Sequence, residues 1–78
     1  MNIEEQKAFL LNNLSKLNYI NEEELKNQDQ IDEVKSAKTD IVNYLDKLKN
    51  DANANLDLKK INKIKAVVNK YSNYITKG

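Results

Sequence analysis

The hydrophobic and polar positions between residues 30 and 50 alternate with the period of an α-helix. Placed at about 100° per residue, seven apolar side chains fall within one arc. They are Ile31, Val34, Ala37, Ile41, Tyr44, Leu45 and Leu48. Lys38 falls in the same arc, and its aliphatic stem can lie along apolar surface while its ammonium reaches water. The pattern predicts a long amphipathic helix with one face towards the core of a bundle.

A second helical pattern covers about residues 4–17. Its apolar positions form a narrow seam of Ile3, Leu10, Leu14 and Leu17. Phe9 and Leu11 flank this seam on opposite sides, so the apolar arc is wide for a helix of this length. We expect the helix either to wedge between two others or to leave one flank for a partner.

The third pattern covers about residues 57–77, with Asp57 as N-cap and Gly78 in the position of a C-cap. Its core face consists of Ile61, Ile64, Val68, Tyr71 and Ile75. The opposite side carries a lysine stripe of Lys59, Lys63, Lys70 and Lys77. Between the two lies a strip of Lys60, Val67 and Tyr74. The strip is where we expect a binding surface, together with the flank of the first helix.

A helix start also lies between the first two patterns. Asn21 is a favourable N-cap, and the acidic run 22–24 suits the positive end of a helix dipole. Ile20 and Leu25 can pack on each other across this start, as in a hydrophobic staple. Carboxylates in a first turn are therefore interpreted as part of capping and not as a metal or catalytic site.

Two interpretations remain for the chain that follows this start. One is a short helix at 22–27, a bend, and a second helix capped by Asp29. The other is a single kinked helix over 22–50. We favour the bend because Leu25 would fall opposite Val34 on a continuous helix. The sequence thus predicts one all-α domain, 1–78, built as an antiparallel bundle of three long amphipathic helices at about 4–17, 30–50 and 57–77, with 22–27 as a short extra helix.

The amino-acid composition excludes most kinds of catalytic, metal-binding and phosphate-binding site. The chain of 78 residues has no cysteine, no histidine and a single glycine. It therefore lacks thiolate and imidazole ligands, a histidine base and a glycine-rich phosphate loop. The segment 51–57 carries oxygen ligands in the order of an EF-hand loop, but Leu56 stands where glycine is needed and Asn62 where a glutamate is needed. We expect no enzymatic activity, no cofactor and no metal site.

Charge is distributed unevenly along the chain. Residues 1–33 hold three lysines against eight carboxylates, whereas residues 57–78 hold six lysines against Asp57 alone. Every basic residue is lysine, as AT-rich coding favours, and this disfavours the bidentate phosphate and guanine recognition that arginine provides. The lysine stripe remains an alternative, as a nucleic-acid site that would track phosphates.

The sequence contains no pattern typical of a membrane segment or a secretion signal. Its first residues are acidic, and its longest apolar run, Ala8–Leu11, is far too short to span a bilayer. We expect a cytoplasmic protein without a membrane partner.

Protein binding is the function that these exclusions favour. We expect a small regulator, inhibitor or immunity-type protein that contacts another protein through exposed helix faces. The candidate contact residues are Phe9, Leu11, Lys60, Val67 and Tyr74. Two alternatives stay open. One is an accessory nucleic-acid-binding protein that uses the lysine stripe, and the other is a self-assembling structural protein that forms a homo-oligomer.

Overall fold

The computed structural model describes residues 2–51 and 53–75, and within these ranges the chain forms three α-helices. They are α1 (Ile3–Asn18), α2 (Gln28–Asn50) and α3 (Leu58–Lys70). Two single turns of 3-10 helix, Glu22–Glu24 and Ser72–Tyr74, follow α1 and α3. The prediction of a small all-α bundle is confirmed for this part of the chain.

The start of α1 is set by a side-chain cap. Asn2 has an extended backbone, and its Oδ1 accepts a hydrogen bond from the amide of Glu5 at 2.8 Å. This satisfies one of the amides that the first turn of a helix leaves without a partner. Leu10 and Leu17 on the predicted seam are fully buried.

The start of α2 corrects one detail of the prediction. The cap is Asn27 and not Asp29, because the Asn27 Oδ1 accepts from the amide of Gln30 at 2.9 Å. The Gln30 side chain in turn accepts from the amide of Lys26 at 3.0 Å, so both sides of the helix start are hydrogen-bonded. As a result α2 begins at Gln28, two residues earlier than predicted.

The short helix predicted at 22–27 is reduced to the 3-10 turn Glu22–Glu24. Asn21 caps this turn by accepting from the amide of Glu23 at 3.1 Å. The turn ends at Leu25, which has an extended backbone and a buried side chain. Because the chain is extended at this point, the single kinked helix over 22–50 is wrong, and the interpretation with a break is the one observed.

The third helix is shorter than predicted. Its N-cap is Asp57 as expected, with the Asp57 Oδ1 accepting from the amide of Lys60 at 2.8 Å. However, α3 ends at Lys70 and not near residue 77. The chain then turns so that Ile75 forms an isolated antiparallel bridge with Ile20. The predicted cap Gly78 and stripe residue Lys77 lie outside the described residues.

Contacts between the helices define an up-down-up arrangement. Lys70 and Lys63 on α3 reach Glu33 and Asp40 on α2, so these two helices run in opposite directions. The start of α1 lies beside the chain that leads into α3, while the end of α1 lies beside the chain that follows α3. Consequently α1 and α3 are parallel, with α2 antiparallel to both.

One core holds the three helices together. Its buried apolar members are Leu10, Leu17, Ile20, Leu25, Val34, Ala37, Ile41, Leu48, Leu56, Ile61, Ile64, Val67, Val68 and Tyr71. Gln6 is also buried, at 2% exposure, and it fixes the connection between α2 and α3. Its Oε1 accepts from the amide of Leu56 at 2.8 Å, and its Nε2 donates to the Asn55 Oδ1 at 2.7 Å. This Gln6 contact sets where α3 begins relative to α1.

Candidate functional site

An apolar groove of about 400 Å³ lies between α2 and α3. We call it the α2–α3 groove. Its α2 wall consists of Glu33, Ser36, Ala37, Asp40 and Tyr44. Its α3 wall consists of Lys60, Lys63, Ile64, Ala66, Val67 and Lys70. Each wall contains residues that recur every three or four positions, namely 33, 36, 40 and 44 on α2 and 60, 63, 67 and 70 on α3, so each wall is one continuous helix face.

The groove is open because the side chains at its middle are small. Ser36, Ala37 and Ala66 line it at the level between the two ion pairs that join α2 and α3. Ser36 and Ala66 are exposed, whereas Ala37, Ile64 and Val67 are buried and form an apolar floor. Larger side chains at the three small positions would fill the space between the helices. The groove is therefore a recess between the two helices, and its floor residues Ala37, Ile64 and Val67 keep only 3–6% of their surface exposed.

The two walls carry opposite charge. The Lys63 ammonium lies 3.8 Å from the Asp40 carboxylate, and the Lys63 side chain is 71% exposed. Such an exposed pair contributes little stability, on the order of 0–1 kcal/mol. Within the described residues, Lys60 makes a cation–π contact and not an ion pair, because its ammonium lies 5.1 Å from the centre of the Tyr44 ring. The rim thus presents acids along α2 and lysines along α3, above a floor that is apolar.

A three-residue network lies at one end of the groove. The Tyr71 hydroxyl donates to the Glu33 Oε1, and the Lys70 ammonium reaches the same oxygen at 2.9 Å. These two hydrogen bonds lower the pKa of Glu33, the Tyr71 bond having the larger effect. Burial raises the pKa of Tyr71, and the bond to Glu33 raises it further. The pKa of Lys70 is raised because its ammonium donates to Glu33. The network keeps all three groups in their usual charge states near neutral pH.

Tyr44 lies at the other end of the groove. Partial burial raises the pKa of its hydroxyl, and the charges of Asp40 and Asp57 raise it further. The phenol is therefore neutral near neutral pH and supplies a ring face and one hydrogen-bonding group. None of these groups resembles an activated nucleophile or base, since each is shifted away from neutral pH.

Four of the sequence-predicted site residues line this groove. Lys60, Val67, Lys63 and Lys70 come from the predicted strip and stripe, and here they form most of the α3 wall. Val67 is only 6% exposed, so it contributes to the floor and not to an outer surface. Lys59 is exposed but does not line the groove.

The other predicted residues lie elsewhere. Phe9 is half-buried between α1 and α3, with the Lys65 ammonium 5.9 Å from its ring centre. Tyr74 is half-buried, and its ring centre lies 6.2 Å from that of Tyr71. Leu11 is 56% exposed on α1. These three residues do not meet in one surface.

Residues on the α2 wall were missed as site residues by sequence reasoning. Periodicity assigned Ala37 and Tyr44 to the core and left Glu33, Ser36 and Asp40 unassigned. The sequence did contain a signal for this wall. The acids Glu33 and Asp40 lie seven residues apart on α2, and the lysines Lys63 and Lys70 lie seven residues apart on α3. In antiparallel helices such repeats can pair across one seam.

A second exposed apolar surface lies on the seam between α1 and α2. Val42 on α2 is 52% exposed, similar to Leu11 on α1. Val42 and Leu14 line a shallower depression with Asn18, Lys38 and Thr39. Lys38 reaches Glu22 at 3.6 Å, with its side chain 25% exposed, which agrees with the expected snorkelling. This surface is flatter and less enclosed than the α2–α3 groove.

Within residues 2–51 and 53–75, no three acidic side chains cluster closely enough to hold a metal ion. None of the helices in these ranges combines the length and apolarity needed to cross a membrane.

Comparisons with known proteins gave no match. No family model, no curated protein and no solved structure matches this chain.

Proposed function

We propose that this protein is a small non-catalytic binding protein that receives an amphipathic helix of another protein in the α2–α3 groove. In this role it would act as a regulator, inhibitor or immunity-type protein. The observation that carries the proposal is the recess of about 400 Å³ between two helices, with an apolar floor and charged side chains on its rim. Helix-in-groove recognition uses the same combination of apolar anchors and polar edges.

The dimensions of the groove suit a helix. From Glu33 to Tyr44 the α2 wall extends about 16 Å, which corresponds to three helical turns. A partner helix laid along it would place its central apolar side chains on Ala37, Ile64 and Val67. The partner would then complete a four-helix bundle, in which each helix buries its apolar face against two neighbours.

The lysine stripe supports nucleic-acid binding less well. Lys63 and Lys70 each have a carboxylate of α2 within 4 Å. A phosphate approaching either lysine would also approach Asp40 or Glu33 and be repelled by it. Along this face the negative charges of α2 alternate with the positive charges of α3, whereas a phosphate-tracking surface needs one sign.

Blocking the groove tests the proposal. We expect Ser36→Arg and Ala66→Arg each to abolish capture of the partner protein from cells that express the gene, because an arginine would occupy the floor. Ser15→Arg is the matched control, since Ser15 is an exposed serine inside α1 and away from the groove. Thermal unfolding should be similar for all three variants, because the positions are exposed.

Two outcomes would contradict the proposal. In one, the protein captured by the wild-type chain is equally well captured by both groove variants. In the other, only nucleic acid is recovered at physiological salt, and replacing Lys63 and Lys70 by Ala flattens the salt dependence of its retention. The second outcome would favour the lysine stripe as the functional surface.

A further inference from the structure

We infer that the partner helix carries opposite charges at its two ends, with the acidic end over Lys60 and Lys63 and the basic end over Asp29 and Asp32. This inference rests on the proposed function, because it concerns the occupant of the α2–α3 groove. It follows from how charge is arranged along the groove and around its open end.

In the lining of the groove, the end near Tyr44 has two lysines, Lys60 and Lys63, and one carboxylate, Asp40. Among the described residues, no carboxylate forms an ion pair with Lys60, whose ammonium lies over the Tyr44 ring. Lys63 lies 3.8 Å from Asp40 and remains 71% exposed, so it attracts a partner carboxylate less than Lys60 does. An acidic side chain on the partner would meet the Lys60 ammonium here, with Lys63 beside it.

The opposite end of the groove has an excess of negative charge. There the groove continues into a second depression that shares Glu33 and Lys70 with it. Asp29 and Asp32 also line this depression, and Lys70 is its one cationic lining residue. The Lys70 ammonium already bonds to Glu33, so the two aspartates have no cation beside them in the lining. Lysine or arginine on the partner would supply it.

A second copy of this chain fits the groove poorly. Two copies of the groove are both concave, and their floors would stay unfilled if they faced each other. The exposed apolar surface at Leu11 and Val42 includes a shallow depression, and lysines lie one helical turn from these two residues on the same faces, at Lys7 and Lys38. Because α1 and α2 are antiparallel, these lysines occupy opposite ends of that surface. One of these two lysines would therefore face Lys60 and Lys63 of the groove.

Selection from a peptide library tests the inference. The probe is a display library of helical peptides of about 16 residues, long enough to cover about 24 Å. Each peptide has a fixed apolar stripe and Glu or Lys chosen at random at both ends. We expect the wild-type chain to enrich peptides with one acidic and one basic end. A nitroxide on the acidic end should broaden the amide signals of Lys59 and Asn62, and leave those of Gln28 and Asp29 sharp.

Charge reversal provides the matched comparison. We expect the double variant Lys60→Glu and Lys63→Glu to bind the selected peptide about 10-fold more weakly, since two attractive contacts become repulsive. The control is Lys16→Glu with Lys65→Glu, which changes net charge by the same amount on the α1–α3 side. The control should bind within about twofold of wild type.

The outcomes separate the inference from the proposed function. The inference would be overturned if the selected peptides no longer bound the Ser36→Arg variant but showed no charge preference. It would also be overturned if the nitroxide label broadened amide signals at both ends of the groove. Either result would leave the proposed function standing. Failure to enrich any peptide sensitive to Ser36→Arg would refute both. Sedimentation showing a dimer that Ser36→Arg dissociates would also overturn the inference, because a second copy would then be the occupant.

Discussion

Replacing Gln6 by Met tests the Gln6 contact that holds the α2–α3 connection against α1. The substitution keeps a long unbranched side chain of similar volume but removes the amide that bonds to Leu56 and Asn55. The backbone amide of Leu56, a residue only 9% exposed, would lose its acceptor. Leaving one buried donor unpaired costs about 1–3 kcal/mol. A bundle of this size retains on the order of 3–5 kcal/mol in total, so the loss would be a large fraction.

Urea and thermal unfolding followed by circular dichroism would measure this loss. We expect a decrease of about 2 kcal/mol in the free energy of unfolding and a fall in Tm of about 8–16 °C. The matched control is Asn12→Met, which removes an exposed amide from the same helix and should change stability by less than about 0.5 kcal/mol. If Gln6→Met were as stable as this control, the reasoning that the Gln6 contact holds the connection would be refuted.

Two further predictions concern the acidic end of the bundle. The hydrogen bonds from Tyr71 and Lys70 lower the pKa of Glu33 in the folded protein. The ionised carboxylate therefore stabilises the fold at pH values above the ordinary glutamate pKa. This stabilisation is lost as the pH falls through the lowered pKa of the folded state. Unfolding in urea should show Glu33→Gln destabilised by at most about 1 kcal/mol at neutral pH, with the difference from wild type shrinking as pH falls below the ordinary glutamate pKa. A difference that stayed constant with pH would contradict the assignment. At the start of α2, Asn27→Ala should cost about 1 kcal/mol by the same assay, and Asp29→Ala distinctly less, because Asn27 is the cap. The reverse order would place the helix start two residues later.

Local sequence signals predicted most of the helical framework. Side-chain caps at Asn21 and Asp57 and the 3.6-residue period of the apolar positions depend only on neighbours in the chain, so they can be identified without tertiary information. Local signals could not show that Asn27, and not Asp29, is the N-cap of α2. Both residues can cap a helix, and the preference depends on the extended backbone at Asn27 and on the bond between Gln30 and Lys26.

The end of α3 depends on a long-range contact. The period of Tyr71 and Ile75 continues that of the helix, and for this reason the pattern predicted a helix to residue 77. In the folded chain, Ile75 instead pairs with Ile20, and the amide of Asn21 donates to the Tyr74 carbonyl at 3.2 Å. A partner some fifty residues away in sequence thus outweighs local helix preference.

The α2–α3 groove could be predicted only in part. Periodicity states which face of a helix is apolar, but it does not state how far the neighbouring helix stands from that face. Ala37 and Ala66 are compatible with either a tight contact or an open space. The distance between the two helices is set by the large side chains around them and by the ion pairs at 33–70 and 40–63. Only the assembled structure shows that the space is open.

The equal spacing of these two ion pairs also restricts how α2 and α3 can be aligned. If α3 slid by seven residues along α2, Lys70 could still reach Asp40, but Lys63 would then stand against Lys47. A slide in the other sense would pair Lys63 with Glu33 and carry Lys70 past the first residue of α2. Only the observed alignment satisfies both lysines. Two contacts that contribute little to stability can therefore select one packing of the helices over its nearest competitors.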